Sequence, residues 1–244
     1  MRPSRALFAA LVAAQVAYGR LPARRTDSTT RGLVLLLLAT SATEAVESRG
    51  LRRGGGALAV AGATGFAVEL VGVATGRPFG HYRYSRKLGA RVGGVPLLAA
   101  AAWALMARPA WVVAGLIRRR ALVRVPLAAG ALTAWDVFLD PRMTREGYWS
   151  WPAGGRYEGI PASNFLGWLL TGAGVFSLWA WLDGADDPDA DGDGALALYA
   201  WTWIGEAFAN AVLWRRPLTA AAGTAAMGAF AVPALHARMR RRRA

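Results

Sequence analysis

Apolar stretches of about one bilayer thickness alternate with short charged turns along nearly the whole chain. They fall near 5–20, 31–48, 56–75, 92–117, 121–139, 162–182, 195–214 and 217–236. A helix needs about 20 apolar residues to cross the hydrocarbon. Each stretch is rich in Ala, Leu, Val and Gly and poor in charge, and glycine is common in spanning helices. The pattern predicts an all-α fold, a polytopic integral membrane bundle of seven or eight transmembrane helices. Eight spans consume most of the 244 residues, so residues 1–244 are expected to form a single transmembrane domain of a multi-pass cell-membrane protein. The first stretch follows Met1-Arg2-Pro3-Ser4, as a signal peptide can. A further apolar stretch follows at once, so it reads as the first span.

Composition agrees: 55% of residues are hydrophobic, and the mean hydropathy is +0.27. The net charge of +14 does not point to nucleic acid. The arginines sit at helix ends (Arg49, Arg52, Arg53, Arg118 to Arg120, Arg240 to Arg243), where they meet lipid headgroups. Lys87 is the single lysine. The Lys/Arg count on the two sides of the membrane ties at 14 each with Arg108 set aside. The Arg-rich tail and the Arg118–Arg120 cluster favour termini in the cytoplasm. There is no cysteine, hence no disulfide or thiolate metal site.

Four acids fall inside or at the edge of the spans: Glu44, Glu69, Asp136 and Glu206. Asp140 and Glu47 lie near span ends. A charge at mid-membrane costs roughly 2.5–3.5 kcal/mol on insertion scales and tends to mark function. The alternative is a hydrogen bond to a neighbouring helix or a pair with an interfacial arginine, which suits Glu47 beside Arg49. Asp136 and Asp140 share one helix face at i, i+4, as do Glu206 and Asn210.

The two loops on one side of the bundle are rich in aromatics. The first leaves Glu69 through Gly72, Gly76, Phe79, His81, Tyr82 and Tyr84. The second runs from Asp140 through Tyr148, Trp149, Trp151 and Tyr157 to Asn164, Phe165 and Trp168. Two spans separate the loops, so parity puts both on the same membrane face. Their aromatics also suit an interfacial belt. The acidic run Asp183–Gly194 matches the opening of a calcium loop at Asp189, Asp191 and Asp193, but Ala200 stands where a bidentate Glu belongs. It reads as a solvated linker. No Walker loop, dinucleotide fingerprint, zinc motif or nucleophile elbow is present.

Two signatures carry a resemblance. Glu69 to Tyr84 with Leu88-Gly89, Gly94-Val95-Pro96 and Trp103 forms the first, residues 69–103. Asp136-Val-Phe-Leu-Asp140-Pro141, Gly147-Tyr-Trp-Ser-Trp151, Gly155-Arg-Tyr157 and Gly159-Ile-Pro-Ala-Ser-Asn164-Phe-Leu-Gly-Trp168 form the second, residues 136–172. Together they resemble the CruF-type membrane hydratases of carotenoid biosynthesis (bisanhydrobacterioruberin hydratase and carotenoid 1,2-hydratase). The chain departs at Ala90 and Ala100, where the family pattern has proline. The resemblance implies addition of water to the terminal isoprenoid C=C of an acyclic carotenoid, giving a tertiary alcohol with neither cofactor nor metal. On that reading Asp136 or Glu69 donates the proton, and Asp140 and Asn164 orient water. Tyr82, Tyr84, Trp149, Trp151 and Tyr157 wall the cation. Phe79, His81, Phe165, Trp168, Glu206 and Asn210 complete the candidate substrate contacts. The expected partners are a carotenoid from the lipid phase, membrane lipids and other membrane enzymes of the pathway, with no nucleic acid.

Two alternatives stand beside this one. A membrane prenyltransferase would use Asp136 and Asp140 to hold Mg²⁺ and a diphosphate. A non-catalytic transporter or assembly subunit would use the acids as a proton relay.

Overall fold

The computed structural model describes residues 2–18, 26–183 and 192–243. Among these, eight helices follow one another: α1 (Pro3–Tyr18), α2 (Thr26–Gly50), α3 (Gly56–Thr75), α4 (Leu97–Ile117), α5 (Ala121–Arg145), α6 (Ala162–Asp183), α7 (Asp193–Phe208) and α8 (Pro217–Arg243). Four two-residue strands sit in the loops: β1 (Arg83–Tyr84), β2 (Arg91–Val92), β3 (Val95–Pro96) and β4 (Trp149–Ser150). Five stretches are long and apolar enough to cross a membrane: Asp27–Thr75, which takes in α2 and α3, then Leu97–Ile117, Ala121–Arg145, Ala162–Leu182 and Pro217–Arg243. Large apolar side chains such as Leu35, Val71, Leu166, Leu170, Trp181 and Phe208 are exposed. A soluble protein would bury such a set. This is an all-α membrane protein.

α2 and α3 do not form one rod. Gly50 takes φ 78, ψ 162, a conformation readily open only to glycine, and a single π-type turn, Leu51–Gly55, follows. In a straight helix residues 45 and 54 would stand about 13 Å apart at 1.5 Å per residue. Instead, a Cβ added to Gly54 would collide with the Ala45 carbonyl, so the chain turns back on itself here.

α4 lies at the centre. Of its apolar window 78% is buried, against 28–50% for the other four stretches. α2, α3, α5, α7 and α8 pack around it, and buried side chains from Leu11 to Ala234 form one contiguous core. Arg108, buried in α4, donates from Nε to Glu44 Oε2 of α2 at 3.1 Å, and from Nη2 to Ser48 Oγ at 3.0 Å. This pairing accounts for Glu44 as a tie between helices rather than a reacting group. Glu47 accepts from the Ser4 backbone N–H at 2.9 Å and from Ser4 Oγ at 2.5 Å, so it caps the start of α1.

Several boundaries differ from the hydropathy reading, among them α2, which starts at Thr26, and α8, which runs to Arg243. Residues 92–96 are not helical. β2 and β3 pair antiparallel across Gly93 (φ 56) and Gly94 (φ 84), a two-residue turn that needs positive φ at both positions. α5 continues past residue 139 to Arg145 and carries Asp140 within it. α7 ends at Phe208 and passes into a second π-type turn, Ala209–Leu213.

Candidate functional site

α3 positions the first acid. Gly76, at φ 76, ends the helix and donates its N–H to the Gly72 carbonyl at 2.7 Å. The chain then folds back along the helix, and the rings of Phe79 and Tyr82 occupy the space a side chain at Gly72 would need. A Cβ there would lie 2.7 Å from Tyr82 Oη and 2.8 Å from Phe79 Cδ2. Tyr82 thereby reaches Glu69 and donates its hydroxyl to Glu69 Oε2. Tyr84 donates to the same oxygen at 2.9 Å, and Trp103 Nε1 of α4 donates to Oε1 at 3.2 Å. Burial, reinforced by the charge of Glu69, pushes both phenols upward. The protonated form therefore persists to higher pH, and both remain donors throughout the physiological range.

The second loop closes on the first. Tyr84 of β1 stands opposite Trp149 of β4 in an antiparallel pair, and Trp151 Nε1 donates to the Phe79 carbonyl at 3.0 Å. Asn164, in the first turn of α6, donates from Nδ2 to Asp136 Oδ2 at 2.9 Å and to Asp140 Oδ2. Trp149 Nε1 donates to Asp140 Oδ1 at 3.0 Å. Asp136 Oδ1 is buried without a hydrogen-bond partner.

Pro141 makes α5 depend on the loop. It has no N–H, so the carbonyl four residues earlier, at Val137, loses its helical donor. The Tyr157 hydroxyl fills that vacancy at 2.9 Å. Burial pushes the Tyr157 phenol up to about 12, which keeps it a donor. Tyr157→Phe should leave the carbonyl unsatisfied and cost roughly 1–3 kcal/mol. A thermal melt in detergent checks this, and an unchanged midpoint would show that the hydroxyl contributes nothing to stability.

These elements enclose a cavity of ≈ 80 Å³. Glu69, Asp140 and Asn164 bring polar groups to a wall otherwise built from Phe79, Tyr82, Tyr84, Trp149, Trp151, Trp168 and aliphatic side chains of α2, α4 and α5. Trp103 and Trp168 stack there, centroids 4.0 Å apart. No Arg, Lys or His lines the cavity among the described residues.

The remaining candidates lie elsewhere. Asp136 is fully buried behind Asp140 and off the wall. His81 is exposed and off the cavity wall, with its ring against Gly76. Tyr157 and Phe165 pack on each other at 5.8 Å outside the cavity. Glu206 faces a different cavity, and Asn210 hydrogen-bonds to it. A shared helix face does not say which side of the bundle that face meets. The calcium-loop candidates Asp189 and Asp191 lie outside the described residues. Asp193 is taken by Arg238 Nε at 2.5 Å and Arg242 Nη2 at 2.6 Å.

Sequence reasoning placed Trp103 in the first signature without a role in the site and passed over Trp135, and both are on the wall. For Trp103 there is a signal: an indole N–H in mid-span must find an acceptor, and the nearest signature acid is Glu69.

Residues 29–230 match the family described as carotenoid biosynthesis protein. A bisanhydrobacterioruberin hydratase from Haloarcula japonica is 34% identical over 127 residues, which cover 50% of this chain and 43% of that protein. The chain thus aligns with less than half the length of that relative. No solved structure matches the chain.

Proposed function

We propose that this chain, which belongs to the carotenoid biosynthesis protein family, hydrates the terminal isoprenoid double bond of an acyclic carotenoid. The observation that carries this reading is the meeting of Glu69, Asp140 and Asn164 on the wall of one aromatic cavity inside the bundle. Hydration of an unactivated trisubstituted alkene proceeds by protonation of the less substituted carbon. That leaves a tertiary cation, which water then captures, and the proton the water loses passes to the Asp140–Asp136 carboxyl pair, which regenerates the acid. Asp140 is the acid that faces the cavity and gives the proton. Asp136, hidden behind it on the same Asn164 amide, is placed to restore that proton. Glu69 accepts from three donors, so it serves as a fixed negative group that stabilises the cation and orients water. The ring faces around it add cation–π stabilisation, about 0.5–2 kcal/mol each. No cofactor takes part.

The substrate enters from the lipid phase and lies against Val34, Leu37, Leu98 and Leu105. The eight helices are read as eight crossings of the cell membrane. α7 reaches spanning length by continuing through its π-type turn to Leu213.

The absence of a basic residue on the described wall weighs against prenyl transfer, because a diphosphate needs cationic partners. Purified protein in detergent should convert a linear carotenoid to a product heavier by one water, with and without EDTA. Metal-dependent transfer of a prenyl group, or no product, would contradict the proposal.

A further inference from the structure

A second cavity, of ≈ 270 Å³, is separate from the one holding Glu69 and Asp140. It lies between α1, α2, α5 and α7, behind the face of α5 that carries Asp140. Its greasy wall is built by Val16, Leu33, Phe208, Leu213, Trp201 and Trp214, and its polar end by Arg142 and Glu206. Arg142 is held between the rings of Tyr18 and Trp214, 4.8 Å from each centroid, and donates from Nε to Glu146 Oε1 at 3.2 Å. Asn210 Nδ2 donates to the Glu206 carbonyl at 2.9 Å and to Glu206 Oε2 at 3.3 Å.

Two features define what would fit. The charges balance, since Glu206 interacts with Arg142 and Arg216 and with a second acid, Glu146. An anionic head would bring an uncompensated charge into a half-buried site, which is costly. Polar groups around this end are also incompletely paired. On the wall itself, among the described residues, the Glu206 carboxylate accepts only from Asn210, at Oε2, and the Arg142 side chain donates only from Nε, to Glu146. That leaves Glu206 Oε1 and the Arg142 Nη groups open to a ligand. Buried polar atoms are ordinarily satisfied. Glu206 accepts and Arg142 donates, and a hydroxyl group does both.

We propose that this cavity is a second ligand site that binds the hydroxyl end of a neutral, long-chain hydrocarbon. The hydroxyl sits between Glu206 and Arg142, and the chain runs out between Trp201 and Trp214 toward the lipid. Two sources share this chemistry, a hydrated isoprenoid end group and an unbranched lipid alcohol. The site itself does not depend on the proposed hydration.

The test is native mass spectrometry of the full chain in detergent with four probes: geranylgeraniol, octadecanol, squalene and palmitate. One geranylgeraniol should bind per chain, at least about 10-fold more tightly than squalene or palmitate, the effect of roughly one well-made hydrogen bond. Octadecanol binding about as tightly identifies a general lipid alcohol as the source. Octadecanol binding about 10-fold more weakly identifies the branched isoprenoid. Gly205→Leu puts a side chain into the cavity from a position where a Cβ meets nothing nearer than Trp201 Cε2 at 4.0 Å, and leucine suits a helix interior. That variant should lose at least about 10-fold in alcohol binding while hydrating carotenoid at the parent rate. Glu206→Gln should weaken the alcohol and leave squalene unchanged. Equal binding of squalene, tighter binding of palmitate, or full alcohol binding by Gly205→Leu would overturn the proposal. A failure of carotenoid hydration would bear only on the function proposed for the other cavity.

Discussion

Asp140→Asn is expected to lower the rate of carotenoid hydration about 10²–10⁴-fold, the usual contribution of a positioned acid or base, while the protein stays folded. The substitution keeps the shape of the side chain. Its carbonyl oxygen still accepts from Trp149 Nε1, as Asp140 Oδ1 does at 3.0 Å. What it loses is the exchangeable proton at the cavity wall and the oxygen that accepts from Asn164 Nδ2, so the Asn164 amide must turn to accept from the new amide. Asp136→Asn should cost less, because Asp136 lies behind the wall and can act only by returning a proton to Asp140. Rates of both variants in detergent, alongside melting curves, test the order. A larger loss at Asp136 than at Asp140, with both proteins folded, would reverse the roles assigned to the two acids.

Glu69→Gln should reduce turnover about 10²–10³-fold, within the range for charge-stabilising groups, with little change in KM. The Gln carbonyl can keep the Trp103 indole bond, and the two phenols can rotate to accept from the new amide. The fixed negative charge facing the cation is gone. Tyr82→Phe and Tyr84→Phe each remove one donor from Glu69 and should cost only about 3–10-fold, in line with 0.5–1.5 kcal/mol per hydrogen bond. A rise in KM at unchanged turnover for Glu69→Gln would make that residue a binding contact rather than a stabiliser of the reaction.

The helices were legible because lipid demands long apolar stretches. The 56–75 stretch coincides with α3 (Gly56–Thr75), and Gly76 at φ 76 marks its end. Residues 92–96 misled because Val92, Val95 and Pro96 are as apolar as a helix start, while the turn at Gly93 and Gly94 depends on backbone angles that hydropathy does not register. α5 outran its expected end because Tyr157, sixteen residues beyond Pro141, supplies the bond the proline removes. Such a long-range repair is invisible to a local window. Parity was enough to bring the two aromatic loops together, and β1 pairs with β4. Helical spacing grouped Glu206 with Asn210 but could not place them in a separate cavity, since that depends on how α7 is rotated against α1, α2 and α5.

The central claim is addition of water. Reaction of the purified protein with a linear carotenoid in D₂¹⁸O under ¹⁶O₂ tests it most directly. The account predicts one ¹⁸O in the new tertiary hydroxyl and one non-exchangeable deuterium on the adjacent carbon, with no added nicotinamide or flavin. A hydroxyl carrying ¹⁶O from O₂, or one formed without deuterium on carbon, would make the reaction a hydroxylation and contradict the account.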